Sequence, residues 1–331
     1  MRHAHAGNAW RALPFALVGA AAATAHAQTN LSYPQRPIRF IVAFPPGSST
    51  DIAARAIAAR ASTTLRQNIV IDNRSGASGQ IGVELGARSA PDGYTILVGT
   101  TSTHALAAVL NHKLSYDPQR DFEPVTLIGS SPYVLALHPA MPVASVKELI
   151  ALARDKPGHL RYASAGNATL GHLAGELFSS LAAIQLTHVP YKSSVLAAPD
   201  VLAGRIDMQF GSVPPTLPHV HSGKLRAIAV TSGRRLANLP QIPTVAESGL
   251  RGYEVALWMG VFLPARTPGS IVETLNRELN ATMTSREISD LLANHGIEVE
   301  AGSAQRLSVL VASEIAKWRK VVTAARIESN P

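Results

Sequence analysis

The chain has no cysteine in 331 residues. Disulfides, thiolate metal ligands and thiol nucleophiles are therefore excluded, and stability must come from buried core. Aromatic residues are scarce, at 5%, and few lie near the lysines and arginines, whose only adjacent pairs are Arg234-Arg235 and Arg319-Lys320. That scatter gives no nucleic-acid footprint, so the formal charge of +8 reads as a solvated basic surface. No apolar run approaches the roughly 18 residues of a membrane span. Catalytic signatures are missing too: there is no G-x-S-x-G elbow, H-E-x-x-H, Walker lysine loop or G-x-G-x-x-G fingerprint. Beyond the N-terminal segment only His219-Val220-His221 brings two histidines close, and no third ligand stands beside them. No metal and no cofactor is expected.

What is present begins at the N-terminus. Arg2 and Arg11 precede a largely apolar stretch from Ala12 to Ala25 that closes in Ala25-His26-Ala27. The pattern predicts a secretory signal peptide over 1–27, cleaved near Ala27. Loss of Arg2 and Arg11 lowers the formal charge from +8 to +6.

The remaining length suggests two domains. Strand-like apolar runs at 39–44, 68–72, 95–99, 134–138, 159–163, 187–190, 206–210 and 225–231 alternate with helical patterns at 51–65, 146–154, 170–181, 270–283 and 304–325. This alternation predicts an α/β protein of mostly parallel sheets flanked by helices. No low-complexity linker divides it into consecutive halves, so the chain is expected to cross between domains near 125–133 and to return after Thr231.

Three times a short apolar strand runs into a loop of small and hydroxyl residues that opens a helix, at 40–55, 95–108 and 160–178. In the first, Ile41-Val42-Ala43-Phe44 is strand, Pro45-Pro46-Gly47 a forced turn, and Ser48-Ser49-Thr50-Asp51 a run of capping residues. The second offers Thr100-Thr101-Ser102-Thr103 closed by His104; the third offers Ser164, Gly166, Asn167, Ala168 and Thr169 before His172. A helix start leaves several N–H groups unpaired and carries roughly half a positive charge, so each loop is a cradle for a small anion without a basic side chain.

Other candidates carry two readings each. His172 lies four residues before Glu176 and near Ser164, which allows a Ser/His/Glu unit, whereas the i, i+4 spacing ordinarily gives a surface or half-buried pair. His104 either hydrogen-bonds a ligand or fills space. Tyr191, after the fixed bend at Pro190, either meets ligand or packs beneath its loop. Asp207 either orients a ligand amine or caps neighbouring backbone. An exported serine hydrolase using Ser164 or Ser48 with His172 or His104 is the alternative these residues leave open.

The order and spacing of several short stretches resemble the periplasmic solute receptors of tripartite tricarboxylate transporters, the Bug family. They are Tyr33-Pro34 with Arg36-Pro37-Ile38, Phe44-Pro45-Pro46-Gly47 with Asp51, Pro91-Asp92-Gly93-Tyr94-Thr95, His172-Leu173-Ala174-Gly175-Glu176-Leu177-Phe178, His188-Val189-Pro190-Tyr191-Lys192, Gly223-Lys224-Leu225-Arg226, and Pro243-Thr244-Val245-Ala246-Glu247-Ser248-Gly249. The resemblance implies a two-lobed Venus-flytrap fold of the second periplasmic-binding-protein topology, with 33–129 plus 241–331 as one lobe and 130–240 as the other. It implies a monomeric, non-enzymatic periplasmic receptor that closes on a small carboxylate and docks on membrane permease subunits. A sensory partner of a membrane kinase is the variant reading.

Carried over by motif, the ligand loops are Phe44, Pro46, Gly47, Ser48, Thr50 and Asp51; Thr100 to His104; and Ser164, Gly166 to Thr169 and His172, with Tyr191 and Asp207 beside them. Ser48, Ala168 and Ser193 stand where the family usually has glycine. Each adds a Cβ where backbone would approach ligand or take positive φ.

Overall fold

In the computed structural model the described residues are 33–111 and 113–324, with Met1 and His3. The expected signal peptide therefore lies outside them apart from those two residues. The first βα unit sets the pattern: β1 (Ile38–Val42) is buried at Ile38, Phe40, Ile41 and Val42, as a strand covered on both faces must be, and Ser48 then starts α1 (Ser49–Leu65). β2 (Ile69–Asn73), α2 (Gln80–Ala87), β3 (Thr95–Thr100) and α3 (Ala107–Leu110) follow. After β4 (Phe122–Leu137) come α4 (Val146–Asp155), β5 (Arg161–Ser164), α5 (Leu170–Ala182), β6 (Thr187–Pro190), α6 (Ser194–Leu202), β7 (Met208–Ser212), α7 (Val213–His221) and β8 (Arg226–Val230). The chain ends its described part with β9 (Ala256–Pro264), α8 (Gly269–Thr284), α9 (Arg286–Asn294), β10 (Glu298–Val299) and α10 (Ala304–Ala324).

Two sheets share β4. The first runs β2-β1-β3-β9-β4, with β10 on β4; the second runs β8-β4-β7-β5-β6. Strands β1, β2 and β3 are parallel, as are β5, β6 and β7, while β9 enters the first sheet and β4 the second antiparallel to their neighbours. Along β4 the partner changes between adjacent residues: Pro132 pairs with Ala256 of β9, and Tyr133 with Ser212 of β7. The stretch expected as a crossing near 125–133 is thus hydrogen-bonded strand. The chain stays with the second sheet after β8, since Val245 N–H donates to Val230 O, and rejoins the first at β9.

Three elements depart from the sequence pattern. α7 holds Pro214, Pro215 and Pro218, yet a helix start needs no N–H donor from its first residues, so the proline pair fits there. α6 holds Pro199 within nine residues. β9 reads as one apolar run because it lies inside the first sheet, buried from Leu257 to Pro264. No helix among the described residues is long and apolar enough to cross a membrane.

Gly129 on β4 has φ +154°, and a Cβ there would stand 2.0 Å from Glu298 O of β10. Gly129→Ala is expected to lower the unfolding free energy by more than about 1 kcal/mol, read as a lower urea midpoint at unchanged slope.

Candidate functional site

The first loop is held rigid from beneath. Ser48 Oγ accepts from Asp51 N–H at 3.3 Å and lies 3.0 Å from Thr50 Oγ1. Asp51, 2% exposed, turns away from the loop's outer face. Its carboxylate receives Gly47 N–H (2.9 Å), Arg55 Nε (2.9 and 3.0 Å) and Asn73 Nδ2 (2.9 Å), and Asn73 also donates to Phe44 O. Burial alone would raise this carboxyl; the bonds from Arg55, Gly47 and Asn73 outweigh it and hold it below the usual carboxylate range.

The second loop becomes a π-helix, Thr101–Leu106, started by a reciprocal Thr100–Thr103 cap. Thr101 Oγ1 accepts from Trp258 N–H of β9 at 3.0 Å. His104 is fully buried, stacked 4.2 Å from the Phe262 ring and 3.0 Å from Thr103 Oγ1 through Nδ1. Burial drives its value down to about 3, so it is a neutral core residue. Of this loop only Ser102 reaches the cleft, where its Oγ accepts from Leu170 N–H across the two lobes at 3.1 Å.

In the third loop Ser164 pairs with His188, at 2.7 Å from Oγ to Nε2, and not with His172. Gly166 N–H and O also take up that hydroxyl at 3.1 Å. His172 stacks on His188 at 4.2 Å, accepts from Ala168 N–H through Nδ1 at 3.3 Å and lies 3.8 Å from Glu176. Burial lowers His172 against the opposing pull of Glu176; burial and then His172 lower His188 to about 3. Glu176 in turn accepts from Tyr162 at 2.7 Å, and a Cβ at Gly175 would meet the Tyr162 ring at 2.3 Å, so this run of α5 is shaped by packing. Asn167 is exposed and its carbonyl accepts from Ser78 Oγ of the other lobe at 2.6 Å. Ala168 has φ +57°, whereas Ser48 and Ser193 are extended at −71° and −166°. Of the three positions where the resemblance leads to an expected glycine, only Ala168 sits in the left-handed region.

The three loops do meet. Phe44, Ser48, Ser49 and Thr50 of the first, Ser102 of the second, and Ala165 and Thr169 of the third line one small cavity of about 30 Å³, joined by Tyr133, Ser193, Ser194, Ser212 and Leu257. Every α-helix reaching it does so by its first turn: α1 through Ser48 to Thr50, α5 through Thr169, α6 through Ser193 and Ser194, α7 through Ser212. No lining residue is charged. Ser49 Oγ is buried without a hydrogen-bond partner.

Several expected site residues lie outside this lining. Pro46 and Gly47 are on the exposed outer turn, and Asp51, Thr100, Thr101, Thr103 and His104 brace the loops from behind. Ser164, Gly166, Asn167, Ala168 and His172 shape the third loop without lining the cavity. Tyr191 packs and donates to Asp200 at 2.6 Å, and Asp207 caps Arg161 N–H at 2.7 Å, the packing and capping readings of the two. Ser48 is engaged in the α1 cap and Ser164 in the Gly166 turn and the His188 contact, so neither serine pairs with His172 or His104 as the hydrolase reading expected. The lining also takes in residues not expected at a site: Ser49, Tyr133, Ala165, Ser193, Ser194, Ser212 and Leu257. Ser212 had a visible signal, a hydroxyl before Val213-Pro214; Tyr133 and Leu257 depend on sheet register and had none.

Two sheets joined by exchanged strands, with helix starts turned to a shared cleft, define the two-lobed periplasmic-binding-protein class. The model of the tripartite tricarboxylate transporter family receptor matches residues 53–327, and the chain belongs to that family. It is 35% identical to protein BugT of Bordetella pertussis over 93% of this chain and 95% of that one. Among solved structures it is similar to Rpa4515 of R. palustris with adipate (38% identity, TM-score 0.87, 89% of this chain and 99% of that one). MatC of Rhodopseudomonas palustris with bound malate is likewise similar (31%, TM-score 0.83, 88% and 100%).

Because folded His104 refuses a proton that the unfolded chain accepts below about pH 6.5, its contribution is complete above that pH and is lost as pH falls toward 3. Stability is expected to drop in that window by up to about 1.4 kcal/mol per pH unit from this imidazole. Urea midpoints from pH 7 to 4 should fall less steeply in His104→Phe; an unchanged slope would refute the assignment.

Proposed function

We propose that this protein is a non-enzymatic periplasmic receptor that closes its two lobes on a small carboxylate and delivers it to the membrane subunits of a tripartite transporter. The observation that carries this reading is the convergence of four α-helix N-termini and eight serine or threonine residues on a cleft without a charged side chain. Such a lining favours an anion by unpaired N–H groups and hydroxyls, and an isolated cation would find no counter-charge there. The acids bound by the two R. palustris relatives support a carboxylate. Export follows from the signal peptide expected over 1–27, and the family supplies the expectation of permease partners.

The lobes are taken as 33–129 with the C-terminal segment, against a second lobe from 130. We set the second boundary later than 240, since Thr244 and Val245 still pair with Val230. Bonds from Ser102 to Leu170 and from Ser78 to Asn167 span the cleft and favour the closed state that a bridging ligand would complete.

Thermal-shift and calorimetric screening of C3 to C6 mono- and dicarboxylates is expected to find at least one stabilising acid, by about 2.7 kcal/mol at a hundredfold excess over Kd. No stabilisation by any of them, with no ligand in native mass spectra, would overturn the carboxylate reading. Ser49→Ala is expected to weaken binding by about tenfold or more, the loss of one hydrogen bond to a charged group, while leaving the ligand-free melting temperature unchanged. Equal affinity in Ser49→Ala would remove Ser49 from the site.

A further inference from the structure

The two strands that join the lobes have different neighbours on their two faces. On β4, Tyr133 lines the front cavity and Pro132 a groove behind it; on β9, Leu257 faces the front and Ala256 the rear. Consecutive residues of an extended chain point to opposite faces, so these strands partition a front space of about 30 Å³ from a rear one of about 880 Å³. The rear walls belong to different lobes. One is the 232–238 loop, which follows β8 of the second sheet; the other is the end of α9 with β10, on the first. They touch through the Arg234–Glu298 ion pair and through Asn238 Nδ2, which donates to Asn294 O at 3.3 Å.

We propose that this rear groove is the counter-volume of the hinge and sets the balance between open and closed receptor. With β4 and β9 as pivot, parting the lobes in front must drive the 232–238 loop toward α9 and β10 behind. Opening therefore consumes rear space, and side-chain volume placed there opposes it. The ion pair, with side chains 75% and 60% exposed, is too solvated to dominate. Volume is the controlling variable. The inference rests on the two-lobed hinge and not on the identity of the ligand.

Ala237→Trp and Ala293→Trp add bulk to opposite walls at exposed positions. The absence of native cysteine allows spin labels at Arg60→Cys on α1 and Ser180→Cys on α5. Either tryptophan is expected to remove the long-distance component from the ligand-free label distribution. Each should also slow dissociation of adipate or malate by about fivefold or more, because release requires opening. Glu298→Gln should change neither by more than about twofold. A long component that persists, with an unchanged dissociation rate in folded tryptophan variants, would overturn the proposal. So would a parent protein with no long component, or a larger effect from Glu298→Gln. If no carboxylate binds, the function proposed above fails, while the label distances still decide this one.

Discussion

Every backbone N–H and C=O of β4 needs a partner, and the strand finds them in two different sheets. That obligation shapes the molecule. A continuous strand cannot bend sharply without losing ladder bonds, so the sheets it belongs to stay close, and the loops at their ends are brought face to face. β9 provides the second tie by entering the first sheet between β3 and β4. The cleft is therefore framed by hydrogen-bonded backbone along β4 and β9.

Within this frame charged side chains are kept off the cavity lining. Asp51, Arg55 and Asn73 lie behind the first loop, where Asp51 takes Gly47 N–H and Asn73 donates to Phe44 O, while the face toward the cleft presents only hydroxyls, backbone and a few apolar groups. The division has a physical basis. A lysine or arginine in a closing cleft would have to shed water at several kcal/mol, whereas helix N–H groups are pre-oriented and already part of the fold. The same separation holds in the third loop, where neutral His172 and His188 stack beneath Ser164 and Ala168 and leave Ala165 and Thr169 toward the cavity.

Local chemistry was legible in the sequence where it is set by neighbouring residues. The strand, turn and cap of the first loop follow from Ile41 to Asp51, and the Ser48 cap is what a hydroxyl before an apolar helix predicts. Chemistry set by distant residues was not. His104 follows four hydroxyl residues and has the spacing of a ligand group, yet Phe122 and Phe262, far along the chain, enclose it. Ser164 lies eight residues from His172, but β5 and β6 pair in a register that brings His188 beside it instead. Asp207 likewise finds Arg161 through sheet pairing.

Ala168 shows how these two kinds of information combine. Its left-handed conformation costs an alanine roughly 1–2 kcal/mol relative to glycine, and the surrounding contacts must hold it there. They are identifiable: Ala168 N–H donates to His172, Thr169 N–H and Oγ1 both bond to Gly166 O, and Asn167 O receives Ser78 from the opposite lobe. The last of these spans the cleft. Strain in the third loop is thus offset partly by a contact across the cleft, from a residue 89 positions away along the chain.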